Sequence, residues 1–193
     1  MTSPIVPYRF ADFIGDLELI TSVGSTDEDK IRRIQKKLRL LISGGNFLPQ
    51  DAKTPALQRY ARHLVHEDPK KRFIVVSLVW APGQGTPIHD HSTWGVAGVV
   101  ENELRIVNYD RMDDGSKEGY ADLREASAIE APAGTVTYIL PPNDVIHLIE
   151  NATDKTTISL HVYGKSIVEC NQFDLAKKAF APWKLTYDKP CAC

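Results

Sequence analysis

The amino-acid sequence predicts a mainly β domain, an antiparallel barrel or jelly roll, preceded by a helical segment. Helical spacing of apolar residues marks the first third of the chain. From Phe73 onward the apolar residues come in short β-branched runs, separated by turn signals such as APGQG, DDGS and PPND. A length of 193 residues suits one domain. We divide it into N-terminal helices over 1–68, a β-barrel over 69–165 and a C-terminal extension over 166–193.

The N-terminal segment is expected to hold three helices. The first carries apolar residues at helical spacing from Phe10 to Ile20. The second begins at the capping sequence Ser25–Glu28 and ends before the glycine pair at 44–45. The third is predicted over Thr54–His66, because a proline stands in its first turn and its apolar residues fall on one side.

The strands that follow are predicted from eight short runs. In chain order they are FIVVSLVW, IHDH, VAGVV, ELRIVNY, SAIEAP, TVTYIL, VIHLIE and TTISLHVY. Many short strands at close spacing favour an antiparallel barrel or jelly roll. Beyond Gly164 the pattern is mixed, and we expect this extension to wrap the barrel with a short helix over 172–180.

Composition excludes several classes of function. A net charge of -2 argues against a nucleic-acid partner and against a polybasic membrane surface. The apolar runs are far shorter than the roughly 20 residues of a membrane span, and the N-terminus has no signal-peptide pattern. Cys170, Cys191 and Cys193 all come late in the chain and do not form a disulfide framework. We therefore expect a reducing cytoplasm as the location and a mobile tail around the last two cysteines.

Four of the six histidines fall in the strand-rich part of the chain. The other two, His63 and His66, are expected on the exposed side of the third helix. His89 and His91 are two residues apart and share one face of a strand, directly after a Gly/Pro-rich loop. That placement fits either two core histidines or a metal site at a barrel mouth. His147, after the PPND turn, would deliver a further imidazole.

These histidines lie in two segments that resemble the motifs of cupin barrels. GQGTPIHDH is similar to the first motif and PPNDVIHLIEN to the second, with Asp144 where glycine is usual. The resemblance implies that His89, His91 and His147 are metal ligands. Cupins typically carry a fourth, glutamate ligand where this chain has Gly95. Three neutral imidazoles would leave the metal its full charge and open positions, and ligand count does not choose between zinc and ferrous iron.

The last predicted strand, TTISLHVY, places Ser159, His161 and Tyr163 on one face. Such a pattern usually marks an amphipathic surface strand. If the polar face points into the barrel, the three side chains form a hydrogen-bonded row.

The stretch RFIVVSLVWAPGQGTPIHDHSTWG, followed by SLHVYG, resembles the thiol dioxygenases of the cysteine dioxygenase family, above all its bacterial members. The similarity covers roughly residues 55 to 165. It implies Fe(II) as cofactor and the oxidation of a thiolate to a sulfinate with both atoms of O2. It also implies that Tyr163 lies near the iron, held by His161, which Ser159 holds in turn.

The resemblance further implies how a thiol carboxylate would be recognised. In RYARHLVH, Arg62 matches the arginine of the cysteine-specific branch and could pair with a carboxylate. Tyr60 is expected to line the same pocket. Without the resemblance, both would be interpreted as residues of the third helix, with Arg62 exposed to solvent and Tyr60 packed against its neighbours. The segment around Trp94, HDHSTWG, resembles the bacterial branch that oxidises 3-mercaptopropionate. That branch usually has an arginine after the H-x-Y-G segment, and the stretch GKSIVECNQF has none. We expect L-cysteine as the substrate, with 3-mercaptopropionate or mercaptosuccinate as alternatives.

Two other functions stay open at this stage. One is a zinc-dependent three-histidine cupin acting as a hydrolase or isomerase, and the other is a cupin that binds a small ligand without catalysis. In mammalian cysteine dioxygenases a cysteine forms a thioether with the active-site tyrosine. Because the matching position here is Gly95, we predict no such crosslink.

Overall fold

The computed structural model describes residues 8–142 and 146–188. Predictions that concern the first seven residues, Asp144, Cys191 and Cys193 therefore lie outside the described residues. Helix α1 spans Phe10–Ser22, helix α2 spans Asp27–Ser43, and a 3-10 turn follows at Gln50–Lys53. None of the helices in the described part of the chain is long and apolar enough to cross a membrane.

Within residues 8–142 and 146–188, eleven strands follow the helices and form two antiparallel sheets. The first sheet has the order β1-β2-β9-β4-β7 and the second the order β11-β10-β3-β8-β5-β6. This confirms the predicted mainly β architecture with an N-terminal helical segment. The strands are β1 (Ala61–Glu67), β2 (Ile74–Trp80), β3 (Ile88–His89), β4 (Gly95–Glu101), β5 (Glu103–Arg111), β6 (Leu123–Pro132), β7 (Val136–Ile139), β8 (His147–Glu150), β9 (Thr157–Tyr163), β10 (Glu169–Asp174) and β11 (Ala179–Lys184).

The first sheet is buried on both faces. One face packs against α1 and α2, and the other packs against the second sheet. Strand β9 shows the division, because Leu160 and Val162 belong to the helix-side core whereas Tyr163 belongs to the core between the sheets. A side chain at Gly98 would meet Ile42 of α2 at 2.5 Å, so this glycine lets the helix approach the sheet closely. Burial on both faces explains the continuous apolar run of β2.

The predicted third helix is wrong. Residues 61–67 form strand β1 and pair with β2 in antiparallel register. The apolar residues of this segment fit a helical stripe, but Tyr60, Arg62 and Leu64 also fit a period of two, and the neighbouring strand supplies the backbone hydrogen bonds. As a result, His63 is buried and lies 2.7 Å from the Thr54 carbonyl through its Nε2 atom, rather than exposed on a helix.

The helix predicted over 172–180 is also wrong. The residues form the hairpin of β10 and β11, with Lys178 in the left-handed region at φ 48° in the turn. Asp174 accepts a hydrogen bond from the Lys177 amide at 3.0 Å and closes that turn. Strand β10 also pairs with β3, so the C-terminal extension is part of the second sheet.

Candidate metal centre

His89, His91 and His147 come together between the two sheets. Strands β3 and β8 place His89 directly opposite His147, and His91 follows two residues after His89. Their ring centroids are 4.8 to 4.9 Å apart. One ligand atom from each ring lies within 4.8 Å of the others, which is the group of histidines that could hold a metal ion.

The protonation of these rings fits metal binding. The Nδ1 atom of His89 lies 3.0 Å from the Pro87 carbonyl, which only accepts, so Nδ1 carries the proton and Nε2 keeps its lone pair for a metal. Burial lowers the pKa of His89 and of His147 well below the ordinary value, and neighbouring histidines lower both further. Both rings are therefore neutral near pH 7, as a metal ligand must be.

Position 95 leaves no room for a side chain that could serve as a fourth metal ligand. Gly95 pairs with Tyr163 across β4 and β9. An added Cβ would lie 2.8 Å from the Tyr163 ring and 2.9 Å from Ile139. The tyrosine ring therefore occupies the space that a side chain at this position would need. Asp90, between the two histidines, faces away and accepts hydrogen bonds from the Asn171 backbone and side chain, both at 2.8 Å.

The row of Ser159, His161 and Tyr163 faces the interior and is hydrogen-bonded. Ser159 Oγ lies 2.8 Å from His161 Nε2, and His161 Nδ1 lies 2.9 Å from the Tyr163 hydroxyl. The inward polar face and the hydrogen bonds expected from the sequence are thus present. Burial, then the nearby His91, lowers the pKa of His161 to about 3, so this ring is neutral and carries one proton. Burial raises the pKa of Tyr163, which keeps its hydroxyl proton.

Trp80 extends this row, and sequence reasoning missed it. Its indole Nε1, which can only donate, gives a hydrogen bond to Ser159 Oγ at 3.0 Å. The Ser159 hydroxyl then donates to His161 Nε2, because the hydrogen bonds of the described residues include no other acceptor for it. The remaining ring proton of His161 is on Nδ1 and is donated to the Tyr163 oxygen. This order leaves the phenol hydrogen of Tyr163 free to face the cavity.

Arg62 lies inside the protein beside this row. It is 4% exposed, and its Nη2 donates to the Ile167 carbonyl at 3.1 Å. Its Nη1 is buried without a hydrogen-bond partner. Tyr60, whose pKa burial raises to about 12, stacks on Trp80 with ring centroids 4.4 Å apart. Arg62 and Tyr60, both expected at a pocket for a thiol carboxylate, lie on and directly before strand β1 rather than on a helix.

Two cavities reach the histidine cluster. The smaller, which we call the Arg62 chamber, has a volume of about 30 Å³, and its lining includes Arg62, Tyr60 and all three histidines of the cluster. The larger, which we call the β6–β7 cavity, has a volume of about 430 Å³ and reaches His91, His147 and Tyr163 from the far ends of the sheets. Trp94 lines neither of them.

The Arg62 chamber also contains two residues that the sequence did not place at a site. Leu185, from the C-terminal extension, and Cys170 both line it. Burial raises the pKa of the Cys170 thiol to about 12, so this cysteine stays protonated. Cys170 is the free cysteine among the residues that the structure describes.

Known proteins share parts of this sequence. Cysteine dioxygenase type 1 of Rattus norvegicus is 27% identical over 177 residues, which cover 90% of this chain and 82% of that protein. The zebrafish (Danio rerio) protein of the same name is 27% identical over 118 residues, or 60% of this chain, and the match spans 56% of its length.

Solved structures give weaker similarities. A double-stranded β-helix protein from Klebsiella pneumoniae matches with a TM-score of 0.46 and 18% identity, over 72% of this chain and 97% of that one. A cupin protein from Desulfovibrio desulfuricans matches with a TM-score of 0.41 and 25% identity, over 60% of this chain and 93% of that one.

The comparison with protein families identifies one family over most of the strand-rich part of the chain. The family described as cysteine dioxygenase type I matches residues 52–176. This range runs from the 3-10 turn through β1, all three histidines of the cluster and the Ser159–Tyr163 row into the hairpin of β10 and β11. The chain belongs to the cysteine dioxygenase type I family.

Proposed function

We propose that this protein is an iron-dependent thiol dioxygenase that converts L-cysteine to cysteine sulfinate with O2. The observation that carries the proposal is the Arg62 chamber. It places a buried arginine with an unpartnered Nη1 in the same small space as His89, His91 and His147. Such a pairing suits a ligand that binds a metal through one end and carries a carboxylate at the other.

The proposed contacts at the two ends of the substrate follow from the residues that line the chamber. A guanidinium donor that is buried without a partner is unfavourable, and a carboxylate would supply the missing acceptor and the opposite charge. Arg62 is the one arginine among the described residues that line the chamber. His89, His91 and His147 would hold Fe(II), which favours the thiolate over the thiol and supplies open positions for the sulfur and O2.

The proposed reaction is balanced without another reactant. The thiolate sulfur gains two S–O bonds as the O–O bond breaks, so sulfur loses the four electrons that O2 takes up. The role of this chain's residues is to bind and orient the substrate. Arg62 would hold the carboxylate, and the free phenol hydrogen of Tyr163 would donate to a group in the cavity. His161, Ser159 and Trp80 hold that phenol in place.

The first experiment is oxygen uptake by iron-loaded protein with L-cysteine, 3-mercaptopropionate, mercaptosuccinate and cysteamine, with the sulfinate product identified. We expect L-cysteine to give the highest kcat/KM. Highest activity with 3-mercaptopropionate would keep the reaction class but change the substrate. No thiol-dependent uptake with any of the four would refute the proposal. Tight zinc binding with no activity after iron loading would favour the zinc-dependent alternative.

The second experiment tests the carboxylate contact. Arg62→Gln should raise KM for L-cysteine about 10- to 100-fold, because charge-assisted hydrogen bonds contribute about 1.5–3 kcal/mol each. KM for cysteamine, which has no carboxylate, should change less than about threefold. Arg124→Gln is the matched control, since Arg124 is 66% exposed and pairs with Asp110 on the surface. An unchanged KM for L-cysteine would exclude Arg62 from the substrate site.

A further inference from the structure

The last described residues cross from one sheet to the other. We call Leu185–Asp188 the C-terminal strap. It begins after β11 in the second sheet, where the Leu185 amide donates to the Val168 carbonyl at 2.8 Å. It ends against β1 in the first sheet. There the Asp188 amide donates to the Arg62 carbonyl at 2.9 Å, and the Asp188 carboxylate accepts from the Arg62 amide at 2.7 Å. The strap thus closes the edge of the two sheets next to the Arg62 chamber.

A bidentate ion pair between Arg59 and Asp188 holds the strap in place. The guanidinium of Arg59 donates through Nη1 and Nη2 to the two carboxylate oxygens of Asp188, both at 2.9 Å. Nη2 also donates to Thr186 Oγ1 at 3.1 Å, and Nη1 to the Tyr60 carbonyl at 2.9 Å. Two parallel hydrogen bonds fix the orientation of both partners, which a single contact would not do.

The strap places an aromatic ring on the arginine of the chamber. The Arg62 Cζ atom lies 4.9 Å from the centroid of the Tyr187 ring. The Tyr187 hydroxyl lies 3.0 Å from Ser166 Oγ, which anchors the ring at its far end. The guanidinium is therefore covered by the ring and held at Nη2 by the Ile167 carbonyl, while Nη1 has no partner.

We propose that Tyr187 is a positioning residue for the substrate carboxylate, and that the Arg59–Asp188 pair holds it on the guanidinium of Arg62. The proposal rests on the carboxylate-binding role proposed for Arg62. An arginine side chain has many rotamers, and fixing one of them in advance lowers the entropy lost when the carboxylate binds. The ring does this by cation–π contact and by excluding water from the guanidinium.

The proposal predicts that loss of the Tyr187 ring weakens the binding of thiols that carry a carboxylate and leaves the binding of other thiols nearly unchanged. In iron-loaded protein, Tyr187→Leu should weaken the anaerobic binding of L-cysteine about 5- to 30-fold, the range expected for a desolvated cation–π contact. Binding of cysteamine should stay within about twofold of wild type, because it does not use Arg62. Tyr187→Phe keeps the ring and should restore L-cysteine binding to within about threefold of wild type. Equal losses for both thiols, or no loss for either, would overturn the proposal.

If Tyr187→Leu does not fold, the proposal can still be tested with a second variant and with a measurement that does not depend on thiol binding. Arg59→Gln removes the ion pair and should show the same selective loss of L-cysteine binding, with Arg124→Gln as the control. In zinc-loaded protein, nuclear magnetic resonance should show faster solvent exchange of the Arg62 Nε proton in either variant than in wild type. That measurement needs no thiol. If the wild type bound neither thiol, the proposed function would fail, but unchanged Arg62 exchange in both variants would refute the role of the strap itself.

Discussion

Replacing Gly95 by alanine tests whether the tyrosine ring beside the histidine cluster is as tightly fixed as its contacts indicate. The added methyl group would lie 2.8 and 2.9 Å from two carbons of the Tyr163 ring and 2.9 Å from Ile139. These neighbours belong to β9 and β7, which flank β4 on its two sides. The backbone of β4 cannot retreat from one without approaching the other.

The magnitude follows from these distances. Carbon atoms in contact normally lie about 3.5–4.0 Å apart, so both neighbours must move by roughly 0.6 Å or more. Overpacking of a core typically costs 1–3 kcal/mol, and here two side chains are displaced by one methyl group. We expect a loss of about 2–3 kcal/mol in the free energy of unfolding. For a domain of this size, that lowers Tm by roughly 4–12 °C. A displaced Tyr163 would also lose its hydrogen bond to His161. The rate of thiol oxidation should therefore fall even under conditions where the variant is fully folded.

The assay is urea unfolding together with oxygen uptake under conditions where the variant is fully folded. Gly15→Ala is the control, because a Cβ there meets nothing within 4 Å and alanine favours the α1 helix. Adding Tyr163→Phe to Gly95→Ala should not restore stability, since the contacts are with ring carbons and not with the hydroxyl. An unfolding free energy within about 0.5 kcal/mol of wild type and unchanged oxygen uptake would refute the reasoning, because surface changes alone fall in that range.

Three further predictions concern the metal, the hydrogen-bonded row and the response to acid. His147→Ala should leave only a small fraction of the bound metal after gel filtration, measured by elemental analysis; full retention would exclude it as a ligand. Nitrogen resonances of zinc-loaded protein should show His161 protonated at Nδ1, whereas a proton on Nε2 would reverse the order of the row. Asp68→Asn should lower unfolding free energy at pH 7, because Arg72 holds the pKa of Asp68 far below its usual value. That stabilisation is present above the unfolded pKa of about 3.9 and is lost as pH falls below it, so the difference from wild type should shrink in acid.

The strands could be predicted because their signals are local, whereas the set of three histidines followed from the resemblance of two short segments to cupin motifs. Each strand run is bounded by turn residues, and the alternation of β9 puts Ser159, His161 and Tyr163 on one face whatever the rest of the fold does. The alternation of polar and apolar residues along β9 does not say which of its two faces points into the barrel. The structure resolves this through the helices, because they cover the apolar face of Leu160 and Val162.

The chamber could not be predicted in full because its walls come from distant parts of the chain. Residues 54–66 fit two periods, and only pairing with β2 selects the strand that turns Arg62 inward. In the sequence, Trp80 is one more apolar residue of β2. Its role appears only in the fold, where the indole donates to Ser159, which is 79 positions away in sequence. The contact between Arg59 and Asp188 spans 129 positions. No local pattern contains such a pair, since each partner alone resembles an ordinary surface charge.

The two cavities have a consequence for how distant substitutions act on the metal centre. The Arg62 chamber and the β6–β7 cavity share His91, His147, His161 and Tyr163 in their linings. A ligand bound at the histidine cluster therefore borders both spaces. Substitutions in the wall of the larger cavity, on β6 or β7, are for this reason expected to alter what binds beside Arg62, although β7 and β1 stand at opposite edges of their sheet.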